Sequence, residues 1–123
     1  MAHLKTEMVT QGIKDTDLEA LKRYGEFLAS GSFNDVLTTS KVRKFFGELR
    51  RIQATGKRHE VVYLIPKLAY DAGREKRNSR IQSFYSELEP LIMATSKKPD
   101  EYFDNLVKVI ESIIAFHKYY GGN

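Results

Sequence analysis

The sequence predicts an all-α protein, a small bundle of about five helices. Apolar residues recur with a period of 3.6 in five stretches, no stretch alternates as a β-strand does, and no segment is repeated. A chain of 123 residues is long enough for one domain that buries roughly two thirds of its unfolded surface. We expect this single domain over residues 15–123, preceded by a flexible N-terminal arm over residues 1–14, which are polar and aperiodic.

Capping residues, prolines and glycines set the expected helix ends. In chain order, the helical stretches run from Asp15–Asp17 to Gly31, from Thr38, Thr39 or Ser40 to Gly56, from His59 to Gly73, from Asn78 and Ser79 to Ile92, and from Pro99 to Tyr120. Pro66 and Pro90 lie inside the third and fourth stretches, where each predicts a kink or a new helix. Residues 95–98 are expected to connect the last two stretches.

The last stretch is the most apolar part of the chain. Its stripe contains Phe103, Leu106, Val107, Ile110, Ile113 and Ile114, widened by Val109 and Phe116. So broad an apolar face is typical of a central helix or of one shared with another subunit. We therefore expect the isolated chain to self-associate as a homo-oligomer.

Positive charge is concentrated between Thr38 and Arg80. This segment holds 12 of the 20 Lys and Arg residues and only 4 of the 16 acidic residues. Its local balance is +8, which leaves −4 for the rest of a chain whose net charge is +4. Such a concentration is the usual electrostatic footprint of a protein that binds a polyanion, most often nucleic acid.

The second helical stretch places cations on the side opposite to its apolar stripe. That side contains Arg43, Lys44, Gly47, Arg50 and Arg51. Cations one turn apart repel each other, so a group outside the helix is expected to compensate them. Gly47 has no side chain and would let the backbone of a ligand approach closely. The alternative is a solvated basic face with an incidental glycine.

The third stretch interleaves cations with tyrosines. Facing away from its apolar stripe are Tyr63, Lys67, Tyr70, Arg74 and Arg77. This pattern suits single-stranded nucleic acid, because cations bind phosphates and aromatic rings stack on bases. The alternative is that the tyrosines are half-buried against a neighbouring helix.

Residues that could support catalysis or metal binding are sparse. His3, His59 and His117 are far apart, and none has a metal-ligating partner three or four residues away. The sequence has no phosphate-binding glycine loop, nucleophile elbow or carboxylate cluster for two metals. We predict no catalytic residue, no metal and no cofactor. A metal-independent ribonuclease that uses His117 with a nearby lysine is the enzymatic alternative.

The composition also indicates where the protein works. Cysteine is absent, which excludes disulfides and thiolate metal sites and fits a reducing interior. The N-terminal residues have no apolar core typical of a signal peptide, and no run of about 18 apolar residues could span a bilayer. We expect a soluble cytoplasmic protein without a membrane partner.

Four segments occur in a recognisable order: LTTSKVRKFF at residues 37–46, PKLAYDAGR at 66–74, FYSELEPLI at 84–92 and AFHKYYGG at 115–122. Together they resemble the small subunit of the type III-A CRISPR effector, the Csm complex, over residues 17–122. The resemblance implies an all-helical, non-catalytic subunit of this antiviral complex. Its copies would stack on each other against the crRNA and its target RNA, and its protein partners would be the backbone and large subunits.

The resemblance also implies which residues contact RNA. Within the first two segments these are Lys41, Arg43, Lys44, Lys67 and Arg74. Arg50, Arg51, Arg77 and Lys118 are added because of the helix faces on which they lie, and Tyr70 because its ring could stack on a base. Guide pairing would read the sequence, so the subunit needs only backbone contacts. The alternative is a helical protein-interaction module whose basic face binds an acidic protein partner.

Overall fold

The computed structural model describes residues 3–31, 36–75 and 79–121. Within these ranges the chain forms six α-helices and two 3₁₀ segments and has no strand, which confirms the all-α prediction. The α-helices are α1 (Glu7–Thr10), α2 (Leu18–Ala29), α3 (Thr39–Thr55), α4 (Leu64–Gly73), α5 (Arg80–Lys97) and α6 (Pro99–Tyr119). The 3₁₀ segments, Asp15–Asp17 and Arg58–Tyr63, lead directly into α2 and α4.

The ends of α3 follow from local chemistry. The hydroxyl of Thr38 accepts a hydrogen bond from the backbone N–H of Lys41 at 3.3 Å, which caps the first turn. Gly56 ends the helix in the left-handed conformation, with φ of 74°. The basic residues of α3 are therefore held on a regular helix of 17 residues.

The three prolines occupy different positions in their helices. Pro66 lies in the first turn of α4, so the alternative of a new helix is the correct one there. Pro99 begins α6 as predicted. Pro90 lies inside α5, which continues to Lys97, so the predicted connection over residues 95–98 was wrong and only Lys98 separates α5 from α6.

Helix α6 lies at the centre of the bundle. It packs against α1, α2, α3, α5 and the 3₁₀ segment Arg58–Tyr63. Its buried residues are Phe103, Leu106, Val107, Val109, Ile110, Ile113 and His117. Most of the broad apolar face is therefore covered within the chain, whereas Ile114 and Phe116 remain partly exposed. Self-association stays a prediction.

Gly25 of α2 lies against the backbone of α6. A Cβ atom at this position would lie 2.8 Å from the backbone nitrogen of His117, with the side chain of Phe116 in the way as well. Only glycine permits this approach. Tyr24, one residue earlier, is fully buried, and burial raises the pKa of its phenol.

Within the arm expected over residues 1–14, the structure describes residues 3–14, which include the short helix α1. Leu4, Met8 and Val9 are buried in the common core, and α1 packs against α5 and α6. The carboxylate of Glu87 on α5 accepts hydrogen bonds from the backbone N–H groups of His3 and Leu4 at 2.6 and 2.7 Å. Leu4, Met8 and Val9, which the sequence analysis placed in the arm, thus supply part of the apolar core.

Candidate nucleic-acid interface

The two predicted basic faces lie side by side. Lys67 of α4 is 2.8 Å from Glu48 of α3, and Lys44 of α3 is 3.3 Å from Asp71 of α4. We use the name "α3–α4 face" for the predicted residues on this side, which are Lys41, Lys44, Arg51, Lys67, Tyr70 and Arg74. Arg43 and Arg50 point instead towards α6, where Lys118 also lies. Arg77 lies outside the described residues.

A groove of about 460 Å³ separates α3 from α4. Its apolar lining is Phe45, Leu64, Pro66 and Leu68, and its polar lining is Lys44, Glu48, Lys67, Tyr70 and Asp71. The groove combines an apolar surface with charged groups of both signs. A groove of this kind can bind the partly apolar base or sugar of a nucleotide while its cations contact the adjoining phosphates.

Five of the predicted cations are already paired with carboxylates of the chain. The pairs are Lys41–Glu75, Lys44–Asp71, Arg50–Glu111, Arg51–Glu48 and Lys67–Glu48. These carboxylates compensate the repulsion between cations on α3. Each paired cation keeps at least 34% of its side-chain surface exposed, and ion pairs at such sites contribute only about 0–1 kcal/mol. The cations therefore remain available to a stronger counter-charge.

Glu48 is the acidic centre of the α3–α4 face. Hydrogen bonds from Lys67, and then from Arg51, hold the pKa of its carboxyl below the ordinary value of 4.5. The group is consequently ionised at neutral pH and pairs with both cations, which leaves the trio with a net charge of +1. The spacing of Glu48 and Arg51 along α3 could have revealed one of these pairs, but the contact with α4 has no local signal.

Three of the predicted cations make no ion pair with a carboxylate of the described residues: Arg43, Arg74 and Lys118. The guanidinium of Arg74 lies 5.6 Å from the ring centre of Tyr70, a cation–π contact. Tyr70 and Tyr63 are 66% and 61% exposed. The alternative in which these tyrosines are half-buried against a neighbouring helix is therefore wrong.

His117 has a structural role in this arrangement. It is 2% exposed, and its Nε2 lies 2.7 Å from the carbonyl oxygen of Leu37. A carbonyl can only accept, so Nε2–H donates and ties the end of α6 to the residue before the Thr38 cap. Within the described ranges, no group of three or more His, Asp or Glu residues is placed to hold a metal ion. None of the helices in that part of the chain is long and apolar enough to cross a membrane.

The fold and the site together define a small all-helical protein whose most distinctive surface is a basic flank on two adjoining helices. Comparison with protein families is more specific, since the family model described as Csm2 Type III-A matches residues 15–123. The chain belongs to this family and is a small subunit of the type III-A CRISPR-Csm complex. Searches among curated proteins and among solved structures gave no match.

Proposed function

We propose that the chain is a non-catalytic subunit that lines the path of the crRNA and its target RNA through sequence-independent contacts with the backbone. The main support is the adjacency of the cations on α3 and α4, joined at Glu48 and Lys67. Family membership supplies the complex in which such a surface would meet RNA. The proposal also includes contacts with the backbone and large subunits and with neighbouring copies.

Binding would proceed by exchange of counter-charges. Lys44, Arg51 and Lys67 would leave Asp71 and Glu48 for phosphate groups. The cost is small, because exposed ion pairs are weak. The gain includes the release of counterions from the RNA, with a salt dependence of roughly −0.7 in log affinity per log salt for each phosphate contacted on a single strand. Contacts of this kind are uniform along the strand and do not depend on the bases.

Charge reversal on the α3–α4 face tests the proposal. We expect the double variant Lys44→Glu, Lys67→Glu to bind RNA oligonucleotides of unrelated sequence more weakly by a common factor. The measurement is fluorescence anisotropy over a range of salt concentrations, with the full chain and with the assembled crRNA-bearing complex. The matched control is Lys22→Glu, Lys108→Glu, which makes the same change in net charge at two exposed lysines. Circular dichroism verifies that helicity is retained.

The outcomes distinguish specific contact from general charge. An equal loss in both double variants would mean that only net charge matters, and no loss in the first would rule out the α3–α4 face as an RNA surface. If nuclease-treated complex retains the chain and only the first double variant is released from it, the face binds an acidic protein partner instead. The isolated chain alone is not sufficient here, because contacts repeated along a complex can be weak individually.

A further inference from the structure

A second pocket lies on the other side of α3, between that helix and α6. Its volume is about 210 Å³. Val42, Phe46 and Ile114 provide an apolar floor, and the remaining lining residues are Thr39, Arg43, His117 and Lys118. The pocket shares no lining residue with the groove between α3 and α4.

Its two cations lack the compensation that is found across the α3–α4 face. Neither Arg43 nor Lys118 forms an ion pair with a carboxylate of the described residues, and both are exposed. Two positive charges at the mouth of one pocket, above an apolar floor, attract an anion. His117 also lines the pocket, and its Nε2 is bonded to the carbonyl oxygen of Leu37.

Thr39 supplies a second, independent observation. Its Oγ1 is buried and has no hydrogen-bond partner among the described residues, which is uncommon for a polar atom in a folded protein. Threonine in a helix occupies either of two rotamers, so a rotation about the Cα–Cβ bond can bring the hydroxyl to a ligand. Thr39 is also the first residue of the 17-residue helix α3, where backbone N–H groups have no partner within the helix.

We propose that this pocket holds one nucleotide of the RNA strand. The phosphate lies between Arg43 and Lys118 and accepts a hydrogen bond from the hydroxyl of Thr39, and the sugar carbons contact the floor of Val42, Phe46 and Ile114. The inference rests on the proposed function, since it takes RNA as the ligand. It adds a specific contact on α6, at a place that the α3–α4 face does not include.

The test combines changes at Thr39 and Lys118 in the full chain, with a labelled single-stranded RNA as the probe. We expect Thr39→Val to weaken binding about tenfold, the effect of losing a hydrogen bond to a charged group, without a change in salt dependence. Thr39→Ser should restore the affinity. Lys118→Gln should weaken binding and make the salt slope less negative by roughly 0.7, whereas Lys108→Gln, at an exposed lysine elsewhere on α6, should not.

Folding is not at risk in the Thr39→Val variant, because valine keeps the shape and removes a hydroxyl that has no partner in the described part of the chain. Unchanged affinity in Thr39→Val and Lys118→Gln would overturn the pocket. If Lys44→Glu, Lys67→Glu still weakened binding in that case, the proposed function would stand without the pocket. If neither pair of changes affected binding, both proposals would fail.

Discussion

The ammonium group of Lys67 on α4 lies 2.8 Å from the carboxylate of Glu48 on α3, which also accepts a hydrogen bond from Arg51 at 3.2 Å. One carboxylate thus pairs with a cation across the groove and with a second cation on its own helix. The free protein is stabilised by these pairs, while a bound strand would need the same cations for its phosphates. Glu48 would therefore compete with the phosphates of a bound strand for Lys67 and Arg51.

Removal of this charge should favour binding. We expect Glu48→Gln to raise RNA affinity and to steepen the salt dependence, because Lys67 and Arg51 lose their internal partner. The free energy of unfolding should fall by no more than about 1 kcal/mol. Glu19→Gln is the control, since Glu19 pairs with Arg23 on α2. An equal gain in both variants would show that the effect is one of net charge.

The free energy of unfolding should depend on pH in the acid range because of Asp17. A hydrogen bond from the backbone of Lys14 is the main cause that lowers the pKa of Asp17 below its ordinary value of 3.8, and Lys5 at 3.2 Å adds to it. A carboxyl whose pKa is lowered by folding contributes its full stability above the pKa of the unfolded chain. This contribution is lost as the pH falls through the pKa of the folded state.

The corresponding experiment compares Asp17→Asn with the native chain by denaturant unfolding at several pH values. We expect the variant to be less stable at pH 7, with a difference that shrinks as the pH falls below about 3.8. A difference that stayed constant down to pH 2 would contradict this account of Asp17. Asp15→Asn, two residues away at an exposed position, is the matched control.

Two glycines should respond in opposite ways to alanine. Gly25→Ala places a methyl group against the backbone of α6, so α2 must move and we expect a loss of about 1–3 kcal/mol in the free energy of unfolding. Gly47 lies exposed in the middle of α3 with nothing near its missing Cβ. Gly47→Ala should therefore stabilise the protein by about 0.5–1 kcal/mol.

The Gly47→Ala variant also reports on the approach of a strand to α3. If a ligand backbone passes directly over Gly47, its alanine variant should lose RNA affinity even though it is more stable. Thermal unfolding and anisotropy measured on the same samples separate the two effects. Equal or higher RNA affinity in Gly47→Ala would show that no close approach occurs at that residue.

Glu87 should hold the N-terminal segment in place. Its carboxylate accepts hydrogen bonds from the N–H groups of His3 and Leu4 and lies 2.9 Å from Nδ1 of His3. We expect Glu87→Ala to speed amide exchange at Met8 and Val9, whose N–H groups are bonded within the segment. Glu89→Ala removes only a hydrogen bond from Tyr85 in the same helix and should leave that exchange unchanged. Equal exchange rates in the Glu87 variant and the native chain would contradict the role of Glu87.

The helices could be predicted because their signals are local. Thr38, Gly56 and Pro99 begin or end helices through groups within one turn of themselves. The N-terminal segment could not be predicted in the same way. Its anchor lies 84 positions away in the sequence, at Glu87, and a polar composition does not reveal that Met8 and Val9 are buried.

In the candidate site, too, the local features could be predicted and the contacts between helices could not. The all-α class, the family resemblance and the concentration of cations between Thr38 and Arg80 could be predicted, because they depend on the residues present and on the helical period. The pairing of individual cations with carboxylates follows from the tertiary structure alone, since Lys67 and Glu48 are 19 residues apart and Arg50 and Glu111 are 61 apart. The packing of α3 against α6 likewise brings Arg43 and Lys118 to one pocket. Charge pairing between helices depends on how those helices pack, and a pattern with a period of 3.6 residues contains no information about the neighbour on its polar side.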